Sequence, residues 1–555
     1  MLSRSRLELW SVRAVALLTA LMGLLNMLSA VIPAMGNRLA LLRQISPLEV
    51  RAGSRLTAAL AAFALFLLAS NLWRRKRAAW LFALVVLGIS AITDLLKGLD
   101  FEETGVALAL AILLIMLRAH FHARSDMPSI RQGVGVLVSA LAFTVVYGMV
   151  GFYLLDRHFR IPFSLAAAFR QTVVMFTQFY DPGLEPVTGF GRYFANSIYV
   201  VSIVTVGYAL LMLARPVLVR NPATPAEREK AKRIVEAQGC SWLARFALFS
   251  DKSYYFSPGG SVVAFVVKGR VALVLGEPIG PAEDLPSALS GFRLHCARND
   301  WEMALYLAPP EHLEICRAPG FSALCVGQEA VVDLAAFSLM GKAGKDLRSP
   351  FNRLTKLGYR AELHAPPLDD GLLGQLREIS DEWLSFMRGR ERRFATGWFD
   401  DDYLRHGPVM VVYDSVGQIS AFANVVPEYR RNEVAVDLMR RREVVENGTM
   451  DFLFVSLLEW AKQQGYAEFS LGLSALSGIG EHSDDPVIER ALRYIFQHVN
   501  QFYNFKGLHA FKDKFHPQWR PRYLVYHGPA SLPLIATALV RADSGDDILW
   551  TFWRQ

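Results

Sequence analysis

The stretch VDLMRRREVVENGTMDFLFVSLLEWAKQQGY, residues 436–466, decides the fold of the second half of the chain. It begins as a strand, passes through a turn and continues as a helix over about 449–464. A pyrophosphate cradle needs several consecutive backbone N–H groups at a helix N-terminus, but this turn offers one glycine, Gly448, behind three arginines. The segment therefore predicts a strand, a turn and a helix without the glycine-rich signal of a coenzyme A site.

The composition of the chain changes near residue 215. Of the 555 residues, 52% are hydrophobic and the mean hydropathy is +0.25. The apolar excess lies before residue 215, which predicts a membrane half followed by a soluble half. The net charge of +8 fits anionic lipid or nucleic acid as a partner, and it also fits the basic loops of an ordinary membrane protein.

Six apolar stretches of the first half are expected to be membrane-spanning helices. They lie near 10–33, 56–73, 78–97, 105–118, 133–155 and 195–214. The basic loop at 74–77 should be cytoplasmic, and alternation then puts both termini and the soluble half in the cytoplasm. We expect a multi-pass protein of the cytoplasmic (inner) membrane. Because the spans hold few ionisable groups, an anchor is favoured over a transporter.

The soluble half repeats one order of elements. In SVVAFVVKGRVALVLGEPIGP, two strand-like runs flank KGR, and GPVMVVYDSVGQISAFANVVPEY gives a second hairpin before the opening segment. Thr224 followed by Pro225 predicts a helix start, and Gly239 its end. We predict a transmembrane bundle at 1–215 and two related α/β domains at 216–365 and 366–555.

Cysteine and histidine spacing indicates no metal site and no cofactor. Four cysteines fall in the soluble half without a C-x-x-C pair, and the twelve histidines form no H-E-x-x-H motif. Reduced cytosolic thiols are the expectation.

Several motifs resemble the C-terminal synthase of the multiple peptide resistance factors, the aminoacyl-phosphatidylglycerol synthases. They are VDLMRR, NGTMDFLFVSLLEWAKQQGY, FSLGLSALSGIG, FYNFKGLHAFKDKFHPQWRPRYLVY, SYYFSPGGSVVAFVVKGRVALVLGEPIGP and EAVVDLAAFSLMGKAGKDLR. The membrane stretch from LLNMLSAVIPA to LLKGLDFEE resembles the family as well. Two departures flank the expected site: Ser470 stands where the family often has Asn, and Ser474-Ala475 where it has Ala-Pro.

The resemblance implies tandem acetyltransferase-like (GNAT-type) domains behind a membrane α-helical bundle. It implies transfer of lysine or alanine from aminoacyl-tRNA to the glycerol hydroxyl of phosphatidylglycerol, which lowers surface charge and gives resistance to cationic peptides. Longer members carry a flippase bundle, and this chain is expected to be the synthase half without it. The amino acid transferred, the exact acceptor, the role of the membrane half and the oligomeric state, a homo-oligomer included, stay open.

Asp437, Arg440 and Lys512 are the expected catalytic residues. Asp437 and Arg440 stand at a strand end, where open α/β sheets place their ligands, and the resemblance strengthens that assignment. Asp437 could hold an α-ammonium group or deprotonate the attacking hydroxyl, while Arg440 could bind a phosphate. The alternative is a local ion pair between them. Lys512 lies in a segment where basic and aromatic residues alternate, as in single-stranded nucleic-acid sites, or as in a core strand with solvated charges.

Seven more residues are expected to contact substrate. Glu391 could select a cationic aminoacyl side chain, or belong to a solvated helix end. The complete set is Glu391, Arg390, Ser470, Gly472, Lys514, Arg520 and Arg522. The acidic loop at 481–489 is a further hypothesis for binding lysine, with a solvated helix-capping loop as the alternative. GLSALSG lacks the second glycine of a hydrolase elbow, so a serine nucleophile is disfavoured.

Three alternatives to the leading hypothesis stay open. The acceptor could be a glycolipid or another amphiphile, or the chain could be a lipid flippase or transporter with a regulatory soluble domain. A coenzyme A-dependent acetyltransferase is disfavoured by the missing phosphate loop.

Overall fold

The computed structural model describes the chain in segments. These are 2–31, 64–65, 68–98, 101–121, 164–178, 187–188, 223–314, 321–342, 344–387, 391–426, 432–475 and 505–544, with 123, 138, 142, 145–146, 149–150, 152–153 and 429. The chain forms two compact units. The first is Met1–Leu218 with Ala297–Trp301, and the second is Val219–Cys296 with Glu302–Gln555.

The described part of the first unit is helical: α1 (Leu2–Val31), α2 (Arg77–Gly98), α3 (Phe101–Met116) and α4 (Leu165–Gln178). Fully buried alanines, Ala79, Ala83 and Ala107, belong to the core that α1, α2 and α3 share, where small side chains allow close approach of the helices.

Three of these helices occupy expected spans: α1 that at 10–33, α2 that at 78–97 and α3 that at 105–118. Of the helices in the described segments, none combines the length and the hydropathy needed to cross a bilayer. The expected spans are thus not confirmed. Those at 56–73 and 133–155 lie largely outside the described residues, and that at 195–214 lies entirely outside them.

The second unit is an α/β unit built on one sheet. Its strands are β1 (Ser253–Phe256), β2 (Val262–Lys268), β3 (Val271–Leu275), β4 (Glu302–Ala308), β5 (Ser322–Asp333), β6 (Arg360–His364), β7 (Val409–Tyr413), β8 (Ile419–Val426), β9 (Glu433–Arg441), β10 (Glu468–Ala475) and β11 (Gln518–Tyr526). Its described helices are α5 (Pro225–Gln238), α6 (Leu285–Arg298), α7 (Lys345–Lys356), α8 (Asp370–Phe386), α9 (Asp401–Arg405), α10 (Thr449–Gln463), α11 (Phe505–Asp513) and α12 (Leu532–Ser544).

The strands follow the order β1-β2-β3-β4-β11-β5-β10-β9-β8-β7-β6. β3 with β4 and β9 with β10 are parallel, and the other neighbours are antiparallel. β11, near the C-terminus, lies between β4 and β5. The domain boundary near 366 stays a prediction, since segments on both sides of it contribute to this sheet.

Three local predictions for the second unit are confirmed: the ends of the first helix, one hairpin and the strand, turn and helix of the opening segment. Thr224 caps α5, accepting a hydrogen bond from the Glu227 N–H in a capping box, and Gly239 follows the helix end. β2 and β3 form the hairpin expected around KGR, with Gly269 at a φ of +63°. The opening segment forms β9, a turn and α10.

Alternate residues of β7 to β9 enter different apolar cores. Val434 and Val436 pack with α7 and α10, whereas Ala435 packs with α8 and with a 3-10 helix at Trp242–Leu248. This two-residue period is that of a strand buried on both faces. The face that carries α8 and the 3-10 helix also carries Asp437.

Candidate functional site

β9 and β10 separate before either strand ends. Three residue pairs join these parallel strands, the last being Ala435 with Ser470. Beyond that point, β9 continues along β8 and β10 continues along β5. A wedge therefore opens between two neighbouring strands. Asp437 of β9 and Gly472 of β10, each two residues past the last pair, stand at its start.

A β-bulge brings Asp437 and Arg440 to the same face of the sheet. The register with β8 shifts so that residues 437–438 oppose the single residue Asn424, whose Oδ1 accepts the Leu438 N–H at 2.7 Å. In a regular strand, residues three apart point to opposite faces, and the extra residue cancels that inversion. Asp437 and Arg440 therefore share one face of the sheet only because β9 bulges between them.

The Asp437 carboxylate is held by two donors. The Gly397 N–H donates to Oδ1 at 2.9 Å, and the Tyr403 hydroxyl donates to Oδ2 at 3.0 Å. A Cβ on residue 397 would collide with the carboxylate, so this approach requires glycine. Burial raises the pKa of Asp437 to about 6, although the two donors and Arg440 each act to lower it. Such a carboxyl exchanges its proton near neutral pH.

Arg440 is buried and pairs with Glu391. Its Nη2 donates to Glu391 Oε2 at 2.8 Å, and its guanidinium lies 4.2 Å from the centroid of the Trp383 ring on α8. Glu391 also accepts the Phe399 N–H at 3.3 Å. The local ion pair between Asp437 and Arg440, considered above as the alternative, is therefore replaced by a pair between Arg440 and Glu391.

The β10 side of the wedge carries a second bulge. Residues 471–472 oppose a single residue of β5, and Gly472 has a φ of +78°, which favours glycine. Lys512 on α11 donates from Nζ to the Leu473 carbonyl at 2.8 Å, and a Cβ on residue 472 would lie 3.8 Å from that nitrogen. Burial lowers the pKa of Lys512 to about 7, while Glu329 acts in the opposite direction.

Glu329 of β5 is the most deeply buried carboxylate near the wedge. It is 1% exposed and accepts hydrogen bonds from the Trp242 indole, the Ser470 hydroxyl and Arg522, whose Nε lies at 2.9 Å. Burial by itself would raise the pKa of Glu329, but the charge of Arg522 and the hydrogen bonds from the three donors lower it overall. This network joins β5, β10, β11 and the 3-10 helix.

The turn before α10 differs from a phosphate cradle. Gly448 adopts a left-handed conformation, and a Cβ there would meet Pro350 of α7 at 2.7 Å. Asp451 in the first turn of α10 pairs with Lys514 at 3.0 Å. A carboxylate at a helix N-terminus occupies the position where a pyrophosphate gains from the helix dipole.

Two protein-family models match the chain. The family model described as "Phosphatidylglycerol lysyltransferase, C-terminal" matches residues 232–526, more than half of the chain. The chain belongs to this family. A second model, "Transmembrane region of lysyl-tRNA synthetase", matches residues 8–183.

Similar proteins agree with the family assignment. The phosphatidylglycerol lysyltransferase of Bacillus subtilis is 29% identical over 496 residues, covering 88% of this chain and 55% of that protein. A Staphylococcus epidermidis protein of the same name is 31% identical over 54% of this chain and 36% of its own length. The L-PGS structure from Bacillus licheniformis is 33% identical, with a TM-score of 0.53, over 58% of this chain and 98% of that one. This chain thus spans about half or less of the lysyltransferases it matches.

Three of the remaining predicted residues of this family member are basic side chains bound by carboxylates. Lys514 pairs with Asp451, and Arg520 pairs with Glu468 through two nitrogens, one at 2.9 Å. Arg522 belongs to the Glu329 network. Arg390 and the acidic loop at 481–489 lie outside the described residues.

Other residues of the site were not predicted from sequence. Tyr403, Gly397 and Asn424 surround Asp437, and Glu329 with Trp242 lies next to Ser470. One signal was present: Glu329 is a charged residue directly before the apolar run AVV, residues 330–332, all of which are buried in β5. A carboxylate beside such a run needs buried partners.

Proposed function

We propose that this chain is an aminoacyltransferase that moves an aminoacyl group from aminoacyl-tRNA to the glycerol hydroxyl of phosphatidylglycerol. Lysine is the first choice of amino acid and alanine the second. Membership of the family and the names of the relatives support the acceptor and the lysyl group. The reference to lysyl-tRNA synthetase in the second family model supports a tRNA-bound donor.

The observation that carries the proposal is Asp437 at the opening of the wedge, with its pKa raised to about 6. A carboxylate of that pKa is mostly ionised at pH 7 and is a stronger base than a solvated one. It therefore suits removal of a proton from a hydroxyl at neutral pH. The donors from Gly397 and Tyr403 fix its orientation.

The reaction needs no covalent enzyme intermediate because the donor ester is already activated. A glycerol oxygen attacks the ester carbonyl carbon, and its proton passes to Asp437. The tetrahedral intermediate then collapses, the bond to the ribose oxygen breaks, and that oxygen takes up a proton. The enzyme contributes mainly by holding the two substrates in register.

We propose that Lys512 acts on the leaving group, which is the ribose oxygen of the tRNA. Its Nζ lies beside Gly472, 3.8 Å from the position that a Cβ would take there, so a substrate carbonyl that approaches this glycine would meet the ammonium group. An ammonium group with a pKa of about 7 can stabilise a developing oxyanion and also release a proton to the ribose oxygen. The two wedge strands thus supply a base and an acid.

Arg440 and Glu391 are proposed to shape the pocket as a pair. The guanidinium is stacked on Trp383 and bound on one edge by Glu391, which leaves its other N–H groups for a phosphate oxygen. Because Arg440 already neutralises Glu391, a cationic aminoacyl side chain would have to displace the guanidinium to bind that carboxylate.

A coenzyme A donor is less compatible with the site. Asp451 and Pro350 occupy the turn and first helical turn where a pyrophosphate would lie. A tRNA acceptor end presents separated phosphates and unstacked bases, which the basic and aromatic segment around Lys512 fits better. We propose that the soluble half consists of tandem acetyltransferase-like (GNAT-type) domains at 216–365 and 366–555.

Action at the cytoplasmic face of a membrane completes the proposal. The match of residues 8–183 to a transmembrane region supports a multi-pass anchor, and the basic balance of +8 suits an anionic lipid surface. Adding a cation to such lipids would give resistance to cationic peptides. Two alternative functions are considered. One is a transferase whose acceptor is a glycolipid, and the other is not an aminoacyltransferase but a lipid flippase with a regulatory soluble unit.

The test uses membranes that contain the full chain, phosphatidylglycerol, and tRNA charged with labelled lysine or labelled alanine. Label should enter the extracted lipid and should be lost after ribonuclease treatment of the charged tRNA. Asp437→Asn should slow the labelling by about 10²–10⁴-fold, and Asp381→Asn, which changes an exposed carboxylate on α8, should leave it unchanged. Label in a different lipid would select the glycolipid reading. If a folded chain transfers neither lysine nor alanine to lipid, the proposal is contradicted. Lipid translocation that proceeds equally well in the Asp437→Ala variant would favour the flippase.

A further inference from the structure

The loop at 391–399, between α8 and α9, carries two groups of the wedge. Near its start, Glu391 accepts a hydrogen bond from Arg440 at 2.8 Å, and near its end the Gly397 N–H donates to Asp437 at 2.9 Å. Backbone outside helices and strands is held by fewer hydrogen bonds and opens more readily. The positions of both groups therefore depend on what anchors this loop.

Phe394, in the middle of the loop, has a backbone conformation that bulky residues rarely adopt. Its φ is +68°, in the left-handed region. The Ala395 N–H donates to the Arg393 carbonyl at 2.8 Å, which closes a three-residue γ-turn around Phe394. A γ-turn with a positive φ at its centre is the rare and strained form. Such strain persists only where surrounding contacts impose it, and it is concentrated at functional sites.

The contacts that impose this conformation are made by the phenyl ring of Phe394. Its side chain is 1% exposed and belongs to a core formed by β2, β3, β4, β5, β11 and α12. The ring centroid of Tyr306 on β4 is 6.2 Å away, and the Nζ of the buried Lys252 lies 5.3 Å from the Phe394 centroid. The neighbouring Arg393 N–H donates to the Asp543 carbonyl of α12 at 3.1 Å. The middle of the loop is therefore anchored in this core.

The last part of the loop packs against a different core. Trp398 and Phe399 lie against the core that contains Tyr403. The Phe399 N–H also donates to Glu391 Oε1 at 3.3 Å, which joins the end of the loop to its start. Gly397 thus lies between two anchors in different cores.

We propose that Phe394 is a positioning residue whose buried ring fixes the loop, so that the Gly397 N–H stays on Asp437 and the Glu391 carboxylate stays on Arg440. Glu391 and Gly397 each lie three residues from Phe394, one on either side, so a shift of the ring moves both. The catalytic consequence of this inference rests on the proposed function, whereas the anchoring does not.

The test follows the Gly397 amide by NMR in the full chain labelled with nitrogen-15 glycine. The Gly397 resonance is identified by its loss in Gly397→Ala. An N–H that donates to a carboxylate changes its chemical shift when the carboxylate takes up a proton. In the wild type the resonance should therefore show a pH-dependent step with a midpoint of about 6, that of Asp437. In Phe394→Ala the step should be lost, because the N–H no longer stays on the carboxylate.

Two further variants separate the ring from the turn and from general effects on folding. Phe394→Gly suits a φ of +68° but has no side chain to bury, so it should lose the step as Phe394→Ala does. Phe292→Ala is the matched control, because Phe292 is fully buried on α6 with its ring against Tyr255 and Phe265. It removes the same apolar side chain from another part of the second unit and should keep the step.

Three results would overturn the proposal. The first is a step of wild-type size in either Phe394 variant, since the loop would then hold its N–H on Asp437 without the ring. The second is loss of the step in Phe292→Ala, since any core defect would then release the loop. If the alanine and glycine variants do not fold, Phe394→Leu replaces them and should speed amide hydrogen exchange in residues 391–399. Unchanged exchange in that variant is the third.

The rate of aminoacyl transfer separates this inference from the proposed function. If transfer occurs, kcat should fall about 10- to 100-fold in Phe394→Ala, because a misplacement of about 1 Å can cost as much as 100-fold, and it should stay within about twofold in Phe292→Ala. If the wild-type chain transfers nothing but the Phe394 variants lose the amide step, the proposed function fails and the anchoring stands. If transfer occurs and the step persists in those variants, the anchoring fails alone.

Discussion

Replacing Arg522 with methionine should destabilise the second unit because it leaves a buried carboxylate without its cation. Glu329 is 1% exposed and would keep only the Trp242 indole and the Ser470 hydroxyl as donors. Removing one partner of a buried ion pair typically costs about 3–5 kcal/mol. We expect a loss of that size at pH 7.5, measured by urea denaturation of the purified chain followed by tryptophan fluorescence.

The pH dependence of this loss has a defined sign. In the wild type the pKa of Glu329 is lowered, so its contribution to stability is present above the unfolded value of about 4.3 and is lost as pH falls further. Without Arg522, burial dominates and raises that pKa, so the variant loses stability as pH rises instead. The difference between the two proteins should therefore be larger at pH 7.5 than at pH 5.

Arg520→Met is the matched control on the same strand. Its partner Glu468 is about a quarter exposed, as is Arg520, so the loss should be about 1 kcal/mol or less. Adding Glu329→Gln to Arg522→Met should restore much of the stability by removing the unpaired charge. A cost below about 1 kcal/mol for Arg522→Met, or one that does not change between pH 5 and pH 7.5, would refute the assignment of a buried pair.

The remaining predictions concern the wedge. The rate of aminoacyl transfer should follow a bell-shaped pH profile, rising as Asp437 ionises with a pKa of about 6 and falling as Lys512 deprotonates with a pKa of about 7; a flat rate between pH 5 and pH 8 would count against both roles. Lys512→Met should reduce transfer about 100-fold or more, whereas Lys514→Met should leave it within about twofold, because Lys514 is bound to a carboxylate; equal effects would mean that the two lysines act alike. Gly472→Ala should lower stability by about 1–2 kcal/mol, since its φ of +78° strains any residue with a Cβ; an unchanged denaturation midpoint would contradict the left-handed bulge.

Local signals in the sequence predicted the elements of the second unit better than their arrangement. The cap at Thr224, the hairpin around KGR and the segment that forms β9 and α10 follow from neighbouring residues. The insertion of β11 between β4 and β5 does not, because it pairs segments almost 200 residues apart that share no local pattern. Strands from both sides of residue 366 pair in one sheet, so the predicted domain boundary there does not correspond to a break in the sheet.

The site shows the same division between local and non-local information. Asp437 and Arg440 are recognisable in the sequence, but a three-residue spacing in a regular strand predicts opposite faces. The bulge that reunites them is held by Asn424 from another strand, and Glu391 reaches Arg440 from a loop 49 residues earlier. Lys514 and Arg520 have the charge expected of a tRNA contact, yet carboxylates on α10 and β10 bind them.

The most direct test of the account is the single-turnover rate of transfer from charged tRNA to phosphatidylglycerol, measured at pH 7.5 for the wild type and for Asp437→Asn. Asparagine keeps the shape of the side chain and removes its basicity. Loss of a general base predicts a rate lower by about 10²–10⁴-fold, with a folded variant that still binds charged tRNA. A variant that transfers the aminoacyl group at the wild-type rate would contradict the role of Asp437 and, with it, the wedge as the catalytic site.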